Sequence, residues 1–453
     1  MQARPRFRLI PYLIVPLLFL VIVGIALAQP GGGRYTYLAA PVGGPSPTPC
    51  VPEPGSWRQG ASFPINIIRA WGAWFPANGL FYTLGGRQTD SAGSDILNPY
   101  EYDPINDTWT QKSATMPNNN VNNMVGGVLD TPSGPRIYVV GGSPAGGTTA
   151  TATVKEYDPV ADVITEVATD PWPGAGTSVL PGGGAVYNNK LYVLGGFNIN
   201  VGMVNTIWEF DPMAAAGTRW TLKSATLPTA LGYIPATTVG DYIYTAGGSE
   251  FSGGTLVDST AVYRFDPVND VVDTMTSLPQ YTAETRAITM LGGTMWVLGG
   301  GRVAPNPSNI VQIYDPGTDT WSSGPAFVTA RRNFPADVDP ATGAIYLVGG
   351  YAPTTPINGM EIYAPGPCPT PIPTDTPLPT DTPVPPTDTP VPTDTAVPTD
   401  TPVPTDTPEP PTGVQVSNFS GDSGSSSGLW LLLLLALLPA AWLAYRRITA
   451  ATK

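Results

Sequence analysis

Residues 191–196 read LYVLGG, and five further copies of that pattern recur along the 453-residue chain. They are LFYTLGG ending at Gly86, IYVVGG at Gly142, IYTAGG at Gly248, MWVLGG at Gly300 and IYLVGG at Gly350. Measured at the second glycine, successive copies lie 56, 54, 52, 52 and 50 residues apart. A period of this size marks a repeat architecture. Each copy joins β-branched and aromatic residues to a glycine pair, the composition of a strand that stops at a turn needing positive φ.

A second element follows each copy, its Asp position falling 14 to 18 residues after the glycine pair. It reads EYDP at 101–104 and 156–159, EFDP at 209–212, RFDP at 264–267 and IYDP at 313–316. The sixth copy, IYAP at 362–365, puts Ala364 where the others have Asp. Next come Trp109, Trp220 and Trp321, with Ile164 and Val272 at the corresponding places in two copies. An aspartate before a proline suits the first two positions of a type I turn. Tyr and Trp bring large apolar faces that a single unit could not bury alone. Strand, glycine pair, loop, strand ending Tyr-Asp-Pro, turn, strand with Trp: over about Ser56 to Pro365 this resembles the kelch repeat. The resemblance implies one four-stranded blade per copy, hence an all-β chain folded as a six-bladed β-propeller. Such a domain is large enough to bury its own core without a cofactor.

The segment SWRQGASFP, 56–64, matches the Trp strands WTQKSATMP (109–117) and WTLKSATLP (220–228). No blade precedes it, and the last copy lacks a Trp strand after it. The two deficits cancel if the N-terminal strand completes the sixth blade and closes the ring.

Around the propeller, placed at 55–366, the composition changes. Residues 1–28 read as a signal peptide: Arg4, Arg6 and Arg8 precede an apolar run ending in Ala26-Leu27-Ala28, a small-x-small cleavage pattern. An uncleaved anchor helix is the alternative, and either reading exports the rest. Residues 29–54 form a Pro/Gly linker. Residues 367–412 repeat PTDT six times, a stalk that cannot form a core and favours extended polyproline II. A Gly/Ser spacer, 413–428, leads to the apolar run Leu429 to Tyr445, read as a transmembrane helix, and a basic cytoplasmic tail, 446–453. Apolar helix and arginine pair also resemble bacterial C-terminal sorting signals, so anchoring and processing both stay open. The expected product is a monomeric propeller displayed at the cell surface, of the surface-anchored bacterial type. Cys50 and Cys368 are the only cysteines, and both would be exported. They fall just beyond the same edge of the sixth blade, so a Cys50–Cys368 disulfide locking the ring is expected.

A net charge of −13 argues against nucleic acid as a partner. The absence of histidine removes Ser-His-Asp and Cys-His pairs and His-based metal sites. Some kelch-type propellers are copper oxidases resembling galactose oxidase, whose site uses histidines, so that site cannot be assembled here. No metal or cofactor is expected. Asp315 to Trp321 approximates a sialidase Asp-box with one residue too many, and Asp337, Asp339 and Gly343 only faintly match a calcium loop. Both read as turns of the repeat.

In a propeller, the loops after the glycine pairs and those before the inner strands share one face. The first set is long and carries Arg87, Phe197, Glu250, Phe251, Arg302 and Tyr351. The second set adds Asn118 from an asparagine cluster, Glu284 and Arg286 beside the start of an inner strand, and Arg331 and Arg332. Variable loops on a rigid scaffold are where function usually lives. The expected function is therefore a non-catalytic binding or adhesion module, taking a glycan or protein at this face. Two alternatives stand beside it. Other six-bladed kelch proteins are sialic acid mutarotases that work with carboxylates and arginines, and Glu284 with Arg286 could imitate that arrangement. The other is a purely architectural surface protein.

Overall fold

The computed structural model describes residues 55–366, apart from 177, 200 and 303–305. The signal peptide, the linker with Cys50, the stalk with Cys368 and the Leu429–Tyr445 segment lie outside the described residues.

Six four-stranded antiparallel sheets make six blades. Their inner strands are Trp71–Phe75, Val125–Thr131, Val179–Tyr187, Ala236–Val239, Arg286–Met290 and Ala336–Val338. Each inner strand neighbours the next, and Ala336–Val338 returns to Trp71–Phe75, so the ring is complete. Blade six gains its outermost strand from the N-terminal side. Ser56–Gly60 pairs with Met360–Ala364 in the register Ser56↔Ala364 to Gly60↔Met360. The Trp57 indole N–H donates to Pro325 O at 2.8 Å, and its ring packs on Phe327 and Tyr363.

Aromatic pairs run around the whole ring, each joining the second strand of one blade to the third strand of a neighbouring one. They are Tyr82–Tyr157, Tyr138–Phe210, Tyr192–Phe265, Tyr244–Tyr314, Trp296–Tyr363 and Tyr346–Tyr102, with centroids 5.0 to 5.9 Å apart. This explains why the Leu-Tyr-Val and Tyr-Asp elements recur together: each is half of an interface between blades. The repeat tryptophans do both jobs. Trp109 packs on Tyr102 of its own blade, and its N–H reaches Ala61 O, beyond the closing strand of blade six.

The turn residues also tie blades together. Asp103 Oδ1 accepts from the Ile105 and Asn106 amides, as an Asp-Pro turn requires. In four blades the second aspartate of the turn then reaches the preceding blade. Asp107 accepts from Ala61 N at 2.8 Å, Asp162 from Ser113 N at 2.8 Å, Asp270 from Ser224 N at 2.7 Å and Asp319 from Thr276 N at 3.0 Å. The near-match to an Asp-box at 315–321 is thus the repeat's own turn. Asp339 likewise closes a hairpin, accepting from Ala341 N and the Thr342 hydroxyl.

The glycine pair behaves differently from a simple strand stop. The second strand ends before it in blades one, two, four and six, but Lys190–Asn198 and Thr294–Gly300 run through it. Ladder irregularities at Leu194/Gly196 and Leu298/Gly300 absorb the extra residue. Close approach explains the glycines better than termination does. A Cβ on Gly195 would lie 2.4 Å from Leu231 O, and the Gly196 amide donates to that same carbonyl at 2.9 Å. The expected loops after two pairs are ordered strand instead. Lys190–Asn198 continues into Gly202–Phe210, and blade four carries a hairpin, Ser249–Ser252 with Thr255–Asp258.

Candidate functional site

One position per blade sets the mouth of the central channel. Counting by register from each glycine pair, the residue three before the first shared inner-strand pair is Arg69, Asn123, Pro181, Tyr233, Glu284 and Asn333. All six line one cavity. Five have left-handed backbone, with φ between 51° and 59°. That conformation is uncommon for any residue but glycine, asparagine and aspartate, and it needs a cause. The cause is a ring of amides. The Asn123 N–H donates to Arg69 O, Arg69 to Asn333 O, Asn333 to Glu284 O and Glu284 to Tyr233 O, at 2.6 to 3.2 Å. Pro181 has no N–H to give Asn123 O, and at the next junction Ile234 N to Gly182 O stands where a Tyr233 N to Pro181 O bond would be.

The left-handed turn also aims these side chains into the mouth. The Glu284 side chain is wholly buried. It accepts from Arg302 Nη1 at 3.3 Å, from Asn333 Nδ2 at 2.6 Å and from Arg332 Nη1. The Arg332 guanidinium lies over the Tyr351 ring, 4.6 Å from its centroid, with Arg69 at 5.9 Å from the same ring. The Tyr351 hydroxyl donates to Asp90, which also pairs with Arg87. Burial works against the Asp90 carboxylate, but the Tyr351 hydroxyl and the Arg87 and Arg69 cations hold its pKa below the usual value. Burial likewise disfavours the Arg69 cation, and Glu284, Tyr233 and Tyr351 together more than offset it. Burial pushes the Tyr233 phenol up. Three guanidiniums, Arg69, Arg302 and Arg332, thus face one carboxylate, so the mouth is cationic in a chain of net charge −13.

An aromatic wall adjoins it. Phe197 lies 5.8 Å from Tyr233 and 6.3 Å from Phe251, which is 45% exposed at the blade-four hairpin. Glu250 accepts from the Ser259 hydroxyl on the same hairpin and flanks a second hollow with Phe251.

Of the residues expected at the face, Arg87, Glu284, Arg302, Arg332 and Tyr351 come together, with Phe197, Glu250 and Phe251 beside them. Three do not join them. Asn118 caps its own turn, accepting from Asn120 N at 3.0 Å. Arg286 lies within the channel, its guanidinium over Trp71. Arg331 is buried and paired with Glu361, donating also to Gly349 O and Gly359 O, so it holds blade six together and is no ligand residue. Its neighbour Arg332 faces the mouth because successive residues of an extended segment point opposite ways. The sequence reading missed Arg69, Asp90, Tyr233 and Asn333. Among the described residues, no three Cys, Asp or Glu side chains come together to hold a metal ion.

Comparison with known proteins gives the class. Residues 286–327 match the family described as Kelch motif. Beta-scruin of Limulus polyphemus is 32% identical over 192 residues, 40% of this chain and 19% of that protein. Human Kelch-like protein 23 is 31% identical over 23% of this chain and 18% of its own. Kelch-like protein 36 of Mus musculus is 26% identical over 54% of this chain and 38% of its own. The chain thus spans less than two fifths of the length of these curated relatives. The solved structure of YjhT superposes with a TM-score of 0.52 at 16% identity, covering 67% of this chain and 96% of that one, a likeness of fold. With six repeats, six blades and these matches, the protein is a kelch-repeat β-propeller.

Proposed function

We propose that this chain is a binding module displayed outside the cell membrane, taking a glycan or protein partner at the channel mouth. Kelch propellers commonly bind proteins, which fits a protein partner. The observation that carries the reading is the mouth itself: Arg69, Arg302 and Arg332 around one buried carboxylate, Glu284, beside the exposed Phe251. Cations gathered around a carboxylate of the backbone ring, with an adjoining aromatic wall, suit an acidic glycan or an acidic peptide segment. The Pro/Thr stalk and the flanking apolar segments support display, with the propeller outside and the basic tail inside. Protease added to intact cells should release a fragment ending in the PTDT stalk. Protection until the cytoplasm is opened would refute display.

A glycan array run with wild type and Arg332→Ala tests the mouth. Acidic glycans should be retained by the wild type and lost by the variant, with Phe251→Ala weakening them. Retention unchanged in both variants would sink the assignment. A second reading, a sugar-active enzyme of the sialic acid mutarotase kind, draws on Glu284 and Arg286 lining one cavity. Against it, both Glu284 oxygens are already engaged by arginine and asparagine donors. NMR anomerisation of sialic acid decides: acceleration that vanishes in Glu284→Gln would replace the binding reading.

A further inference from the structure

Below the mouth, the channel widens toward the face that carries the short hairpin turns, into a cavity of about 380 Å³. Its walls are largely apolar, with Trp71, Trp74, Ile288 and Val338 among them, and only Arg286 and Asp337 are charged. The Arg286 guanidinium stacks on Trp71, 3.4 Å from the ring centroid. Its remaining contacts are weak: Nε to Ala336 O at 3.5 Å and Nη2 to Gly72 O at 3.3 Å. Those two bonds leave Nη1 and the second Nη2 hydrogen as an end-on fork. No carboxylate of the described residues forms an ion pair with Arg286 within 4.0 Å. Asp337 shares the chamber and the two charges feel each other, but its oxygens accept the Trp74 amide at 2.7 Å and the Val338 amide at 2.9 Å. The indole N–H of Trp71 is also buried without a partner among the described residues.

A cation held flat on an indole in a largely apolar chamber, with a carboxylate near it but none in direct contact, has donors left for an anion. We propose that this lower chamber binds a small organic carboxylate, its head on the Arg286 fork and its apolar body on the Trp71, Trp74 and Ile288 walls. The chamber adjoins the mouth, sharing Arg286 with it, but the proposal does not rest on the reading given to the mouth. Burial and neighbouring carboxylate make the two chamber charges interdependent: burial lowers Arg286 to about 10 and raises Asp337 to about 6. Below about pH 6 Asp337 is neutral, and no like charge opposes an incoming anion. Binding should therefore tighten as pH falls through that value.

Calorimetric titration of the exported protein with benzoate, and with benzamide as its neutral isostere, tests this. Benzoate should bind about tenfold or more tightly than benzamide, the scale of a charge-assisted pair. Its affinity should rise several-fold from pH 7.5 to pH 5.5 and fall about tenfold or more in Arg286→Gln. Asp337→Asn should bind at neutral pH as the wild type does at acid pH, with the pH dependence gone. That second variant keeps the test decisive if Arg286→Gln folds poorly. Benzamide binding as well as benzoate, no benzoate binding at millimolar concentration, or a pH dependence that survives Asp337→Asn would each overturn the proposal.

Discussion

Glu361→Gln should be among the most destabilising single substitutions in the propeller. Glu361 and Arg331 are 0% and 1% exposed and form an ion pair inside blade six. Glu361 also accepts the Val328 and Thr329 amides, while Arg331 donates to Gly349 O at 3.0 Å, Gly359 O at 2.7 Å and Thr329 O at 3.1 Å. Removing one charge leaves a guanidinium buried without compensation, at a cost of about 3–5 kcal/mol. The glutamine must also turn its NH2 toward one of the two backbone amides, adding about 1 kcal/mol. A domain of ordinary stability has about 5–15 kcal/mol to lose. Urea unfolding followed by tryptophan fluorescence should therefore show a large fall in midpoint with little change in slope, and the thermal midpoint should drop by roughly 10 °C. Arg331→Met together with Glu361→Leu should recover part of the loss, because an apolar pair removes both desolvation costs. A single variant within about 1 kcal/mol of wild type would refute the claim that this pair works in the dry interior.

Trp57→Ala removes a 2.8 Å hydrogen bond to Pro325 O and two aromatic contacts at the ring's only junction between chain ends, and should cost about 3 kcal/mol. An unchanged urea midpoint would mean that the closing strand contributes little. Burial lowers Lys155 from 10.5 to about 8, and its ammonium has only the Asn120 and Gly141 carbonyls and the Met124 sulfur as hydrogen-bond partners. The unfolded chain therefore holds more protons between those values, and stability should rise as pH climbs from about 8 to about 10.5. In Lys155→Met that rise should be missing from denaturation midpoints, and a rise that persists would place the titration elsewhere. If the proposed export holds, non-reducing peptide mapping of the full chain should find Cys50 joined to Cys368. Free thiols at both positions would remove the covalent lock.

The repeat was legible because each of its residues serves an interface that recurs six times. Glycine pairs admit a neighbouring backbone, Tyr and Trp complete an aromatic ring between blades, and aspartates bond the preceding blade. Closure by Ser56–Gly60 was legible for the same reason, since Trp57 carries the pattern of an outer strand without a blade to own it. The mouth was harder to read. Its six positions hold Arg, Asn, Pro, Tyr, Glu and Asn, with no shared chemistry and a variable distance to the glycine pair. Only strand register aligns them. Asn123 and Asn333 gave a partial signal, as asparagine tolerates left-handed backbone better than most residues. Arg331 and Arg332 could not be separated by sequence, because adjacent arginines on an extended segment face opposite sides and only packing says which side is core.

The backbone ring also explains how a repetitive fold accommodates a specific site. A left-handed residue stands before five of the six inner strands; in four of them its amide reaches the neighbouring blade, and the same torsion throws its side chain into the channel. The strain is met by a hydrogen bond that depends on no side chain, so the residue type at that position is free to vary. The propeller thus offers six places where side-chain chemistry can differ on one backbone frame, although here Glu284, Asn333 and the arginines are coupled through their own contacts. Here they carry a cation, a carboxylate, two amides, a phenol and a proline, and the proline flanks the two junctions where the repeating amide bond gives way. Selectivity for a partner then resides in which blade carries which group, an order that the rigid ring preserves. Exchanging Arg69 and Glu284 would keep the composition of the mouth and reverse its polarity across the channel. A partner recognised by that polarity would be lost, and the thermal midpoint would fall as well, because Glu284→Arg sets a guanidinium against Arg302 and Arg332 in a buried place.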